Sequence, residues 1–147
     1  MRFPAVLVTM LLAFAGSGCA LLSSAGGVGQ IMQTMVDPPA TLIWASVATS
    51  VTSEGIKEKF PRNDREWDEV RKAAARLAEA GSLLKKESRA GGNSEWMRWS
   101  QALVDAAADT LRGVEAKSPD QILAAGEKIY NTCIGCHGRY SMMTAPP

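Results

Sequence analysis

Two segments in the middle of the chain carry apolar and small residues at helical spacing, and they constrain the fold more than any other feature. In residues 64–89 this stripe is Trp67, Val70, Ala74, Leu77, Gly81 and Leu84, and in residues 94–117 it is Trp96, Trp99, Leu103, Ala106, Thr110 and Val114. Steps of three and four residues place each set on one face of an α-helix. Because only a short link containing Gly91-Gly92 separates the segments, the pattern predicts two long antiparallel helices.

A third helix is predicted after residue 118, and a less regular one before residue 54. The stretch Ser118-Pro119-Asp120-Gln121 has a capping serine followed by proline at the first helical position. The apolar face of this last helix is Ile122, Gly126, Ile129, Cys133 and Cys136. The first helix is predicted over residues 29–53, and Asp37-Pro38-Pro39 makes it either kink or restart with Asp37 as its cap. Residues 54–64 are predicted to form the one long loop, and no segment has the pattern of a strand. The predicted fold is all-α, an antiparallel four-helix bundle.

The first 19 residues have the features of an export signal. Arg2 precedes an apolar run over residues 3–15, which is shorter than the roughly 20 residues that a membrane-spanning helix needs. Ala13-Phe14-Ala15 fits ordinary secretion, Gly16-Ser17-Gly18-Cys19 resembles a bacterial lipidation site, and an uncleaved anchor is the third alternative. We predict an export signal over 1–19, a linker over 20–28 and one domain over 29–147. The domain is expected in the periplasm, either free or tethered to the membrane through a lipidated Cys19.

The charge balance argues against one class of partner. Without Arg2, the chain has 15 basic and 15 acidic residues. Such a balance lacks the basic excess that a nucleic-acid-binding domain usually has. We therefore expect no nucleic-acid partner.

Residues 133–137 have the sequence Cys-Ile-Gly-Cys-His, which contains two of the three cysteines and the only histidine of the chain. Positions i, i+3 and i+4 share one face of a helix, so that Cys133, Cys136 and His137 can address one planar ligand. C-x-x-C-H is the pattern for a covalently attached c-type haem, with the histidine as an axial iron ligand. The alternatives are a disulfide, which does not need His137, a thioredoxin-like redox pair, which expects a βαβ context, and a zinc site, which needs a fourth ligand.

With His137 on one side of the iron, no second histidine remains for the other side. The sixth ligand is then a methionine sulfur, an exogenous molecule or nothing. Met32 and Met35 lie three residues apart on one face of the first helix and are the predicted iron ligands, with core packing as their alternative role. Met142 and Met143 follow the motif closely and reach the distal face only by wrapping around the haem.

This arrangement resembles the class II c-type cytochromes, which include the cytochromes c-prime. That family carries C-x-x-C-H near the C-terminus, on the last helix of a four-helix bundle, and a Tyr or Phe followed by Arg comes three residues after the histidine. Here Tyr140 matches, whereas Ser141 stands at the Arg position and Arg139 precedes the tyrosine. The resemblance implies that some members take a methionine ligand from the first helix and carry electrons. Others leave the iron five-coordinate and bind nitric oxide or carbon monoxide.

We therefore expect one haem c and one-electron transfer between redox partner proteins, and we do not expect an enzyme. A five-coordinate haem protein that binds small gases for sensing or detoxification is the alternative, and a haem-carrying subunit of a larger complex is a third hypothesis. The resemblance also implies a homodimer, because such bundles often pair through their first two helices. For the tryptophans Trp44, Trp67, Trp96 and Trp99, packing between helices is the simpler interpretation, and shielding of the haem is the functional one.

Overall fold

The computed structural model describes residues 27–141, and this part of the chain is mainly α-helical. The helices are α1 (Val28–Ile31), α2 (Asp37–Ser46), α3 (Asp64–Leu84), α4 (Glu87–Ala90), α5 (Ser94–Glu115) and α6 (Pro119–Tyr140), and a π-helical turn (Met32–Val36) joins α1 to α2. None of the helices in residues 27–141 has the length and the apolar character needed to cross a membrane. The predictions for residues 1–19, Cys19, most of the 20–28 linker, Met142 and Met143 lie outside the described residues.

The three long helices begin where the sequence predicts, each with a polar side chain as its cap. The side chains of Asn63, Asn93 and Ser118 accept hydrogen bonds from the backbone N–H three residues later, at 3.0, 3.0 and 3.4 Å. Each bond satisfies one of the N–H groups that the first turn of a helix leaves without a partner. The local sequence alone therefore sets the starts of α3, α5 and α6.

The prediction of one continuous helix over residues 64–89 is wrong at its C-terminal end. Helix α3 ends at Leu84, and the chain makes the separate short helix α4 before Gly91 and Gly92, both of which have positive φ. The carbonyl of Leu84 accepts a hydrogen bond from the indole Nε1–H of Trp96 on α5, with 2.7 Å between nitrogen and oxygen. The helix stops here because a side chain from another helix satisfies its terminal carbonyl.

The first helix is shorter than predicted, and a β-hairpin follows it. Helix α2 ends at Ser46, and β1 (Ala48–Thr52) pairs antiparallel with β2 (Gly55–Lys59), in a register that places Val51 opposite Ile56. The predictions of helix to residue 53, of a loop over residues 54–64 and of no strand are therefore wrong. Val47 and Val51 are four residues apart, which suits a helix, but β-branched side chains at four of residues 47–52 favour a strand. Gly55 supplies the positive φ, +117°, that the turn requires.

The π-helical turn is a consequence of the two prolines at the start of α2. Pro38 has no N–H to donate to the carbonyl of Thr34, four residues earlier. The N–H of Asp37 bonds instead to Met32 O, five residues back, and the Thr34 carbonyl accepts from Nε of Arg76 on α3 at 3.4 Å. The helix thus restarts at Asp37, but Asp37 is its first helical residue and Val36 stands at the cap position, which corrects the prediction of Asp37 as the cap. Because the turn is wider than an α-helical one, the residues before the prolines are rotated relative to α2, compared with a regular α-helix.

The helices share one core. Helix α5 packs against α3 and α6, α2 contacts both α3 and α6, and the π-helical turn contacts α3. Ile43, Leu77, Val114 and Ile129, one from each of α2, α3, α5 and α6, are fully buried. The C-terminal end of α6 is held beside the start of α5 and the π-helical turn, where the residues of the C-x-x-C-H motif lie.

Candidate functional site

Cys133, Cys136 and His137 lie on the last turns of α6 and line one narrow cavity of about 30 Å³. Both cysteines are free thiols and are half-buried, whereas the His137 side chain is exposed. Other parts of the cavity wall come from the π-helical turn, α3 and α5, and include Met32, Val36, Leu84, Trp96, Trp99 and Leu103. Helical spacing thus brings the three motif side chains to one side of α6, as the sequence predicts.

Burial controls the protonation of the two thiols. Removal from water raises the pKa of Cys133 above its ordinary value, and the negative charge of Asp37 raises it further. The pKa of Cys136 is raised by burial first and by the neighbouring Cys133 second. A raised pKa means that both sulfurs carry protons at neutral pH. Val36, the residue before α2, lines the same cavity as the two thiols.

The π-helical turn distinguishes the two candidate methionines. Met32 lines the cavity together with the three motif residues, whereas Met35 does not line it. Both side chains are half-buried and pack against the hydrophobic core. Val36, one turn after Met32, is buried and lines the cavity as well. The spacing of Met32 and Met35 in the sequence makes them equivalent, and the packing of the turn against α3 separates them, since Met32 alone of the two shares the cavity with the motif.

The indole of Trp99 on α5 packs directly on the motif. A Cβ atom added to Gly135 would lie 2.2, 2.6 and 2.8 Å from three atoms of the Trp99 six-membered ring. Such distances are far shorter than van der Waals contact, so only glycine fits at this position without a shift of the ring. The second residue between the two cysteines is therefore set by contact with Trp99. The sequence predicts Trp99 on the apolar face of its helix and as one of four tryptophans that could shield a haem, but it does not predict this contact with Gly135.

Charged and polar contacts join the end of α6 to the start of α5. Arg139 donates from Nε to Glu95 at 3.1 Å, and Arg98 pairs with the other oxygen of Glu95 at 3.6 Å. The Tyr140 hydroxyl donates to the side chain of Asn93 at 3.2 Å, and its ring meets that of Trp96 edge to face. Arg139, which precedes the tyrosine in this chain, therefore has a partner on the neighbouring helix.

The other two tryptophans lie away from this cavity. Trp67 is buried in the core, and Trp44 donates from Nε1 to Gly126 O at 2.9 Å. The packing interpretation therefore describes these two, whereas Trp96 and Trp99 line the cavity.

Comparison with protein-family models, with curated proteins and with solved structures gives no match to this chain. Within residues 27–141, no group of three or more His, Cys, Asp and Glu side chains is arranged to hold a metal ion by itself.

Proposed function

We propose that this chain is a monohaem c-type cytochrome of the class II type that carries out one-electron transfer. In this proposal α2, α3, α5 and α6 form an antiparallel four-helix bundle, a haem would be attached to α6 through Cys133 and Cys136, and His137 would bind its iron. One observation carries the proposal. Two free thiols and the only imidazole of the chain line one cavity, which the thioether of Met32 also lines.

The chemistry of these side chains fits a c-type haem. The two thiols are not joined to each other, and burial raises the pKa of both, which favours the thiol form that can add to the vinyl groups of a haem. The cavity of about 30 Å³ has room for a water molecule and not for a porphyrin, so that side chains must move when the haem enters. Trp99 covers the motif and Met32 has a flexible side chain. These two residues are the ones expected to open the site.

When bound, the haem supplies the one-electron chemistry, because its iron is stable in both the ferrous and the ferric state. The residues of this chain set the conditions for it. Val36, Leu84 and Leu103 give the site apolar walls, which exclude water and lower the local dielectric constant. Met32 lines the cavity with His137, and as a thioether ligand it would stabilise the ferrous state and raise the reduction potential. The exposed position of His137 on α6 leaves this side of the site near the surface, where a redox partner protein can approach.

A gas-binding haem protein is the second candidate function, and the position of Val36 favours it. Val36 lines the same cavity as Met32, so that an apolar side chain could cover the distal side of the iron. The iron would then keep an open position for carbon monoxide or nitric oxide. The two functions differ in a single iron ligand, which a spectrum can detect.

The first experiment asks whether the full-length chain carries a covalent haem. The chain is produced in a bacterium that attaches c-type haem, and the mass of the mature protein is measured beside that of a Cys133→Ser/Cys136→Ser control. We expect one haem in the wild-type protein and none in the control. A wild-type protein without covalent haem would overturn the proposal.

The second experiment separates the electron carrier from the gas binder. Absorption spectra of the ferric and ferrous protein are recorded with and without carbon monoxide, for the wild type, Met32→Ala and Met35→Ala. We expect a sulfur-to-iron charge-transfer band and no carbon monoxide shift in the wild type and in Met35→Ala, and loss of the band in Met32→Ala. A high-spin wild type that binds carbon monoxide readily would support the gas binder.

Export to the periplasm and a membrane tether through Cys19 belong to the same proposal. They rest on the sequence of residues 1–19. Mass spectrometry of the mature N-terminus distinguishes cleavage after Ala15 from a lipid on Cys19 and from an uncleaved leader.

A further inference from the structure

A groove of about 710 Å³ runs between α2 and the first half of α6. It shares no lining residue with the cavity of the C-x-x-C-H motif. Sites for small molecules commonly have volumes of about 300–1,000 Å³ and apolar walls with a few polar groups. Most of the wall of this groove is apolar, and it includes Ile43, Trp44, Val47, Ile122, Leu123 and Ala124. Because neither thiol of the motif lines it, the groove is a candidate site for a ligand other than the haem.

Two aromatic side chains line the groove and meet at nearly a right angle. The Trp44 indole donates from Nε1 to Gly126 O at 2.9 Å, and a Cβ added to Gly126 would lie 3.1 Å from the indole. The indole is thus fixed against the backbone of α6. The Tyr130 ring meets it edge to face, with 6.4 Å between the centroids and 76° between the planes. Trp44 is 37% exposed and Tyr130 is 54% exposed, so both rings offer surface to a ligand. The π face of an aromatic ring attracts cations.

The charged side chains that line the groove are both acidic. They are Asp120 and Glu127, and neither carboxylate takes part in an ion pair in the part of the chain that the structure describes. Lys128 and Arg139, also on α6, both pair with carboxylates of α5. Lys59 of the hairpin lines an adjoining cavity with Asp120, whereas no Lys or Arg lines the groove beside Glu127. The charge that complements this surface is therefore positive.

The two acids differ in what the fold itself explains. Asp120 lies in the first turn of α6, where a negative charge stabilises the helix. Glu127 lies in the middle of the same helix, beside exposed apolar and aromatic side chains, and has no such role. Its carboxylate is the polar group that gives the groove a preference among ligands.

We propose that this groove binds a small organic cation, an ammonium group carried on an apolar body. The ammonium group lies against Trp44 and Tyr130, near the carboxylate of Glu127. The apolar body contacts Leu123 and the other apolar walls. An anion is repelled by the two carboxylates, and a neutral ligand gains nothing from them. The proposal goes beyond the proposed function and does not depend on the haem.

The probe for the first test is benzyltrimethylammonium, which joins a quaternary ammonium to an aromatic ring. Isothermal titration calorimetry measures its affinity for the full-length chain. Two further probes are N-benzylacetamide, which is neutral and of similar size, and phenylmethanesulfonate, which is an anion with the same ring. We expect the cation to bind most tightly and the anion not to bind. Equal affinities for the cation and the neutral probe, or no binding of the cation, would overturn the proposal.

A charge-removing variant tests the assigned carboxylate. Glu127→Gln keeps the shape of the side chain, and it should weaken binding of the cation about two- to fivefold, the range expected for a charge contact at the protein surface. Binding of the neutral probe should not change. Glu79→Gln is the matched control, because Glu79 is an exposed acid on α3 and lies outside the groove. The same loss in both variants, or no loss in Glu127→Gln, would refute the assigned contact.

Variants of the two rings test the position of the ammonium group. Trp44→Leu and Tyr130→Leu should each weaken binding of the cation by about fivefold, and more than binding of the neutral probe. Tyr130 makes no side-chain hydrogen bond, so Tyr130→Leu decides the outcome if Trp44→Leu does not fold. An unchanged affinity of Tyr130→Leu for the cation would overturn this position. Because calorimetry needs no haem, a chain without covalent haem refutes the proposed function alone.

Discussion

Replacement of Gly135 by alanine tests the contact between α5 and the motif most directly. The new Cβ atom would lie 2.2 Å from the nearest atom of the Trp99 ring, which is not a distance that two carbon atoms can keep. The ring must therefore leave its place over the motif. Gly138, three residues later on the same helix, has no atom within 4 Å of an added Cβ. Gly138→Ala is thus a matched control with the same change in composition but no clash.

The expected size of the effect follows from two opposing contributions. Alanine is favoured over glycine in a helix by up to about 1 kcal/mol, and both variants receive this gain. Overpacking of a contact costs about 1–3 kcal/mol, and only Gly135→Ala has this loss. The free energy of unfolding should therefore be about 1–3 kcal/mol lower for Gly135→Ala than for Gly138→Ala.

Urea unfolding of the haem-free, full-length chain, followed by circular dichroism of the helices, measures this difference. Equal stability of the two variants would show that Trp99 and Gly135 are not in close contact, and the packing of α5 on the motif described above would then be wrong. In the haem-loaded protein the difference should shrink, because Trp99 must already have moved to admit the haem.

Three further predictions concern single residues of the helices. Asn63→Ala and Asn93→Ala each remove the cap of a long helix and should lower the free energy of unfolding by about 1 kcal/mol; unchanged urea midpoints would contradict this. Gly81→Ala places a Cβ 3.1 Å from a carbonyl of α5, so it should lower the free energy of unfolding by about 1–2 kcal/mol net of helix propensity, and greater stability would refute it. Burial raises the pKa of Cys133 and Cys136, and a raised pKa leaves less thiolate at a given pH. Alkylation of the two thiols should therefore require a higher pH in the folded, haem-free chain than in the same chain unfolded in urea. Peptide mass spectrometry measures the extent of alkylation at each pH. Coincident pH profiles would show that the thiols are not shielded.

The parts of the fold that local sequence controls could be predicted, and the helix and strand boundaries that depend on other elements could not. The starts of α3, α5 and α6 depend on a cap within three residues, and these starts were predicted correctly. The end of α3 depends on Trp96, which reaches Leu84 from another helix. The hairpin was missed because Val47 and Val51 have a spacing that suits a helix, although their β-branched neighbours favour a strand.

The candidate site also has one part that local sequence predicts and one part that depends on the packing of other elements. The sequence placed Cys133, Cys136 and His137 on one helical face, because three residues within one turn need only the helix itself. Met32 and Met35 remain equal candidates at the level of sequence, because they lie three residues apart on one face of a regular helix. Only the packing of the π-helical turn brings Met32, and not Met35, to the cavity.

By itself, the sequence determined the starts of the long helices, their caps and the set of side chains that make the motif, because those features depend on neighbours within about one turn. The tertiary structure decided which methionine faces the motif and which tryptophan lies on it. It also decided that the N–H of Trp96 has an acceptor whereas that of Trp99 has none. The physical reason is that Trp96 and Trp99 differ in what the adjacent helices place opposite them, and the sequence around either residue contains no record of that.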